Sequence, residues 1–174
     1  ITMSTYFITN QQSLFTPVGY SFSTVDKCLE YLETLDEVGV DTETRRFDPS
    51  VDSDLLSLQL GDDKKQFVID CGTVDIQLFK DIIERKLVLL QNAKFDLKML
   101  EYHFGFKFPK VSDTMLMHYL LDESKGTHGL KFLALKYTEY GDYDKDLDTF
   151  RTQYCKEHNL LKGDFSYDLI PFDI

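Results

Sequence analysis

Nowhere does the sequence run the roughly 20 consecutive apolar residues that a bilayer span requires, and its start has no basic segment leading into an apolar one. The chain therefore reads as a soluble protein of the cytoplasm, with no membrane partner. Cysteine is scarce as well. Cys28, Cys71 and Cys155 are an odd number set far apart, and no C-x-x-C pair exists to hold zinc, so idle or buried thiols are expected. Basic residues fall well short of acidic ones, 19 against 30, for a net charge of −11. A module that held nucleic acid by phosphate neutralisation alone would be basic, so passive binding is disfavoured. The same deficit is compatible with a protein that sets divalent cations between its own carboxylates and a phosphate, because bound ions reverse the local sign of charge. Plain solubility accounts for most of the excess. Repeats, linkers and low-complexity tracts are missing too.

What is present suffices for one folded domain over residues 1–174. The 43% of apolar residues, with 14 Phe and 10 Tyr, can fill a sizeable core. The opening Ile1-Thr2-Met3-Ser4 suggests a natural start at Met3, with Ile1 and Thr2 expected to be left over from expression. Thr5 to Thr9 is rich in aromatic and β-branched residues and reads as a short first strand before a Pro17-Val18-Gly19 turn. Ser23 with Asp26 resembles a helix cap. Val25, Cys28, Leu29, Leu32 and Leu35 follow at helical spacing, giving a helix over 24–35.

Val38 to Asp41, Leu55 to Leu60 and Gln66 to Asp70 read as three successive strands, an antiparallel meander with Gly61-Asp62-Asp63 as a hairpin turn. A helix over 76–85, a buried central strand over 87–90 and a helix over 95–104 come next. Helices over 113–121 and 130–137, joined by Gly126-Thr127-His128-Gly129, make the last third helical. The order βββαβα followed by more helices implies an α/β fold, a mixed sheet with helices packed on it.

Two elements carry chemistry. Val40-Asp41-Thr42-Glu43-Thr44 sets two carboxylates two residues apart at a strand end, where alternation sends both to one face. Taken alone, such a pair is a weak signal among 30 acidic residues. The second element, Leu89-Leu90-Gln91-Asn92-Ala93-Lys94-Phe95-Asp96, is an apolar strand running into a helix, with Asn92 and Asp96 spaced i and i+4. An aspartate in a first helical turn is commonly just a favourable dipole interaction, so this element too has an ordinary explanation.

Together, the two elements match the first two motifs of the DEDD exonuclease superfamily. Asp113-Thr114-Met115-Leu116 through Asp122, and Thr127-His128-Gly129-Leu130-Lys131-Phe132-Leu133-Ala134, add to the likeness. The chain from Val38 to Ile174 resembles the 3′-to-5′ exonuclease domain of family A DNA polymerases, phage replicative enzymes above all. The resemblance implies a ribonuclease H-like mixed sheet, an antiparallel meander plus a parallel strand, flanked by helices. It implies that Asp41, Glu43 and Asp96 bind metal and carry the catalysis, with two Mg²⁺ or Mn²⁺ ions as cofactors; oxygen ligands suit those ions. Asn92 would orient the second motif, Thr42 and Thr44 would lie beside the primer terminus, Phe47 would wedge against the terminal base, and Phe95 would line the same pocket. Read without the resemblance, Phe47 and Phe95 are ordinary core aromatics. The implied partners are a single-stranded DNA 3′ end and a polymerase domain on the same polypeptide, in a monomer of phage or bacterial origin.

Members of the superfamily carry a third motif, Tyr-x-x-x-Asp or His-x-x-x-x-Asp. Tyr140 and Asp144 fit the first spacing but sit in a Gly-containing acidic turn, which reads as a solvated loop. The stretch Asp164-Phe165-Ser166-Tyr167-Asp168-Leu169-Ile170-Pro171 resembles what precedes that motif, so the last catalytic carboxylate is expected beyond residue 174, and neither Asp168 nor Asp173 is expected to substitute for it. His128 reads as a structural hydrogen-bonder, and Lys94 and Lys131 as solvated lysines within reach of phosphates. An RNA-processing exonuclease of the same superfamily and an inactive nucleic-acid-binding relative are the alternative readings.

Overall fold

The computed structural model describes residues 3–11, 19–45, 55–166 and 169–170. It divides into two compact units, Ile1–Thr114 and Met115–Ile174. In chain order the first unit comprises β1 (Ser4–Ile8), β2 (Ser21–Phe22), α1 (Val25–Glu33), β3 (Glu37–Thr44), β4 (Leu55–Gly61), β5 (Lys65–Asp70), α2 (Lys80–Arg85), β6 (Leu87–Leu90), α3 (Lys94–Lys98) and β7 (Val111–Asp113). The seven strands form one sheet in the order β2-β1-β5-β4-β3-β6-β7. The expected meander is there, since β3, β4 and β5 pair antiparallel. The parallel component is larger than the one strand anticipated: β1 joins β5, β2 joins β1, β6 joins β3 and β7 joins β6, all in parallel.

Side-chain alternation turns this register into a core. Val40, Leu60, Phe67 and Tyr6 occupy successive partner positions across four strands, and Tyr6 stacks on Phe67 at 5.2 Å. Thr42, Leu58, Ile69 and Ile8 form the next row, with Leu58 and Ile69 wholly buried. Rows of this kind stabilise the sheet through cross-strand contact and removal of apolar area from water. Cys28 and Leu32 of α1 and Ile82 and Ile83 of α2 belong to the same buried cluster.

Several boundaries differ from the sequence reading, each for a local reason. The cap of α1 is Thr24 rather than Ser23, because the Thr24 hydroxyl sits three residues before the Lys27 N–H that it accepts, at 3.3 Å. That helix stops at Glu33, short of Leu35, where Lys86 Nζ donates to the carbonyls of Glu33 and Leu35 at 3.2 and 2.5 Å. The helix expected over 76–85 opens as a 3₁₀ turn, Ile76–Phe79, capped by Asp75. The one expected over 95–104 starts at Lys94 and widens into a π-helical stretch, Met99–His103. β2 and β7, of two and three residues, are too short to show a period and were not anticipated. Pro17 and Val18 of the expected turn, Phe47, the pair Tyr167 and Asp168, Pro171 and Asp173 lie outside the described residues.

The second unit contains α4 from Met115 onward (the helix is Thr114–Leu121), α5 (Leu130–Tyr137) and α6 (Lys145–Glu157), the last not anticipated as an element. Its buried residues are His118, His128, Ala134, Cys155 and Phe165 among those described. His118 and His128 are buried with their Nδ1 atoms 2.7 Å apart, so one donates a proton that the other accepts, and His118 Nε2 lies 3.2 Å from the Tyr137 hydroxyl. Phe165 is buried against the edges of Phe150 and Tyr154. The three thiols are free, and burial pushes Cys28 and Cys71 up to about 12, so both stay protonated. No helix among the described residues is long and apolar enough to cross a membrane.

Gly61, at the β4 end of the hairpin, is the tightest backbone approach: a Cβ there would lie 2.1 Å from the Lys65 carbonyl oxygen. Gly61→Ala is therefore expected to cost about 1–3 kcal/mol through overpacking. Urea unfolding should show a lower midpoint at unchanged slope, and an unchanged midpoint would refute this account of the turn.

Candidate active site

Strand β3 separates its side chains cleanly. Val38, Val40, Thr42 and Thr44 are buried, whereas Asp41 and Glu43 project from the opposite face and reach solvent. Their partners on β4 are Gln59 and Ser57, so this face of the sheet is polar across two strands. β6 accompanies β3 only over Glu37 to Gly39. Beyond that point the chain turns away through Gln91 and Asn92 into α3, and a side chain of that helix takes the place of the missing strand. Asp96, 3% exposed, accepts the Thr42 backbone N–H at 3.0 Å and the Thr42 hydroxyl at 2.6 Å, both on Oδ1. Two such bonds to one charged oxygen offset the cost of burying it.

The three carboxyl groups feel one another. Asp41 is pushed up to about 7, first by burial among surrounding protein atoms, then by the charges of Asp96 and Glu43. Glu43 is raised by burial and then by Asp96. Asp96 is raised by burial, against the opposing hydrogen bonds from Thr42, with a smaller push from Asp113. Asp41 and Glu43 keep contact with water, so what raises them is a partial loss of hydration to neighbouring protein atoms and not enclosure. An all-oxygen set of this kind fits a hard divalent cation. Among the described residues no three His, Cys, Asp or Glu side chains are arranged as a ready-made metal site, and one oxygen of Asp96 is already engaged by Thr42.

The other residues singled out from sequence fall in various places. Thr42 and Thr44 lie on the buried face, and the Thr42 hydroxyl is turned to Asp96. Phe95 is half-buried at the start of α3. Asn92 precedes the helix instead of sharing a face with Asp96: it is exposed, has φ +58°, and its carbonyl accepts the Phe95 N–H at 3.1 Å. The i, i+4 reading assumed helix from Asn92 onward, whereas the first helical residue is Lys94. Lys131 pairs with Asp142 and Asp144 at 2.7 and 2.9 Å, and the Tyr140 ring is 59% exposed.

Sequence reasoning counted Asp113 into the family likeness but gave it no role in the site. It read as the start of a helix, but it ends β7, and its two carboxylate oxygens accept the backbone N–H groups of Asn92 at 3.0 Å and Ala93 at 2.8 Å. Thr114 beside it donates at 3.1 Å to the Leu90 carbonyl and at 2.6 Å to Gln91 Oε1. The signal in the sequence was an Asp-Thr pair opening a helix, which also occurs as an ordinary cap.

The fold defines a class first, the ribonuclease H-like α/β proteins. RNase D of Trypanosoma brucei, solved in complex with RNA U12, superposes with a TM-score of 0.65 over 97% of this chain and 56% of that one, at 13% identity. NrnC of Brucella melitensis with bound Mg²⁺ does so with a TM-score of 0.58 over 92% of this chain and 86% of that one, at 18% identity. Likeness at this level concerns the fold alone.

Sequence narrows the class to a family. Residues 21–167 match the model of the 3′-5′ exonuclease of A-type DNA polymerases. The DNA polymerase of Escherichia phage T5 is 50% identical over 114 residues, 60% of this chain and 13% of that protein. DNA polymerase I of Aquifex aeolicus (strain VF5) is 32% identical over 126 residues, 71% of this chain and 20% of that protein. The chain belongs to the 3′-5′ exonuclease family of A-type DNA polymerases, hydrolases that act on nucleic acids, and it spans a fifth or less of the length of those two polymerases.

The crowding of charge has a consequence for stability without metal. A carboxyl held above its ordinary value of 3.8, as Asp41 is at about 7, binds its proton more tightly in the folded chain than in the unfolded one. Its contribution is complete below 3.8 and disappears as pH rises through about 7. Asp41→Asn should therefore raise the melting temperature in EDTA at pH 8 by a few degrees, with the gain shrinking toward pH 4. Thermal scans across that range check the trend, and an equal gain at every pH would contradict it.

Proposed function

We propose that this chain hydrolyses the 3′-terminal phosphodiester of single-stranded DNA and releases nucleoside monophosphates, as the proofreading part of a polymerase whose synthetic domain lies on the same polypeptide. Asp41, Glu43 and Asp96 would hold two divalent ions, Mg²⁺ or Mn²⁺. The observation that carries this reading is the placement of two carboxylates on the solvent-reaching face of β3 beside the buried Asp96, whose charge acts on both. Oxygens so crowded favour a cation over a proton-free empty state.

Bound there, two such ions supply an activated water and countercharge for the departing 3′ oxygen. The chain's own residues do the rest. Asp41 and Glu43 project from one face of β3 and reach solvent, where a strand end can approach. Thr42 serves by fixing Asp96, and Thr44 by closing the same strand from its buried side. Phe95 presents part of its ring, against which a terminal base can stack, and Asn92 shapes the turn that leads to it. DNA is the favoured substrate because the two sequence relatives are DNA polymerases, and such work belongs to the cytoplasm of a phage-infected or bacterial cell.

In the full-length protein, the double variant Asp41→Ala, Glu43→Ala should reduce degradation of a 5′-labelled oligodeoxynucleotide to background. EDTA should abolish wild-type degradation, and added Mg²⁺ or Mn²⁺ should restore it. Activity that survives in the double variant defeats the assignment. Faster degradation of the matching RNA strand would replace the DNA reading with the RNA one.

A further inference from the structure

We infer that Asp113 is a positioning residue for the nuclease centre, acting through the backbone that delivers Asp96; the inference rests on the proposed function. Asp113 is the last residue of β7 and the register partner of Leu90, the last residue of β6. From that place its carboxylate reaches past the end of β6 and accepts two successive N–H groups, Asn92 at 3.0 Å and Ala93 at 2.8 Å. These are donors that a chain leaving a strand for a helix cannot satisfy within either element. Each oxygen takes one of the two N–H groups.

The hold is specific in what it fixes. Asn92 has φ +58°, a left-handed backbone that asparagine tolerates better than other non-glycine residues but that still has to be selected over the right-handed one. Asp113 imposes it by binding the N–H groups on both sides of that residue's α-carbon, and Thr114 secures the preceding step through the Leu90 carbonyl and Gln91 Oε1. Ala93 N–H, held by Asp113, sets the residue whose carbonyl accepts the Leu97 N–H at 2.9 Å, so the first turn of α3 starts in register. Asp96 lies in that turn. Its carboxyl is thereby located from two directions, by Thr42 at the sheet and by Asp113 at the helix start. A helix start displaced by a fraction of a turn would carry Asp96 away from Asp41 and Glu43 while leaving most of the core intact. The charge of Asp113 also acts on Asp96.

Full-length Asp113→Ala and Asp113→Asn test the inference, with the Asp41→Ala, Glu43→Ala double variant as reference. Residues that orient metal ligands typically cost about 10–100-fold in metal affinity or activity when changed. Asp113→Ala should accordingly raise the Mn²⁺ concentration for half-maximal activity and lower kcat, each about 10-fold or more. KM for the oligonucleotide should stay within about two-fold, since no substrate contact is removed. Asp113→Asn keeps one acceptor oxygen and should fall between Ala and wild type in its Mn²⁺ dependence, which a smaller folded fraction would leave unmoved. If Asp113→Ala does not fold, Asp113→Asn is the deciding variant. Wild-type kcat and Mn²⁺ dependence in the folded variant, beside an inactive double variant, overturn the role of Asp113 alone. An active double variant overturns the nuclease reading itself.

Discussion

The bond on which the site depends is the one between Thr42 and Asp96. It forms where β6 has parted from β3 and the sheet would otherwise show an unpaired N–H to the protein interior. One carboxylate oxygen repairs that gap and accepts the neighbouring hydroxyl as well. A helix side chain is thus treated by the sheet as if it were the next strand. The two carboxylates of β3 flank Thr42 in sequence, so the repair sets Asp96 where its charge acts on both of them.

That economy has an electrostatic cost. Three acidic groups raised by loss of hydration, two of them also by the charge of Asp96, are unfavourable for the fold taken alone, and a core built for stability would not gather them. Proteins break local rules of this kind at working sites and compensate elsewhere. Here the compensation lies in the rows of Val40, Leu60, Phe67 and Tyr6 and of Leu58, Ile69 and Ile8 directly beneath, which hold β3 rigidly from its buried side. The partition of β3 into an apolar and an acidic face lets one strand do both jobs.

Most of the sheet was legible because its strands alternate or run apolar for four residues or more: Val38 to Asp41, Leu55 to Leu60, Gln66 to Asp70 and Leu87 to Leu90 all lie in strands. β2 and β7 were not, since a two- or three-residue strand exists only through its neighbours and leaves no period of its own. The acidic pair of β3 could be read from spacing, and so could the presence of Asp96 at a helix start. What spacing could not give was the conformation of Asn92, because a left-handed residue before a helix is set by a distant acceptor, Asp113, 21 positions along. Helical periodicity found α4 yet did not foretell its surroundings: Leu120 and Leu121 are 89% and 79% exposed.

The order of the strands also bears on how the chain reaches this state. β1 finds its place beside β5, with Ser4 opposite Lys65 and Ile8 opposite Ile69. During synthesis the earliest strand must therefore wait, unpaired on that side, until the meander has left the ribosome. Non-local parallel pairing of this type closes a long loop before it gains any contact and is slow for that reason. The hairpin of β4 and β5 is local and can form first, so it would serve as the template onto which the amino-terminal segment is later zipped.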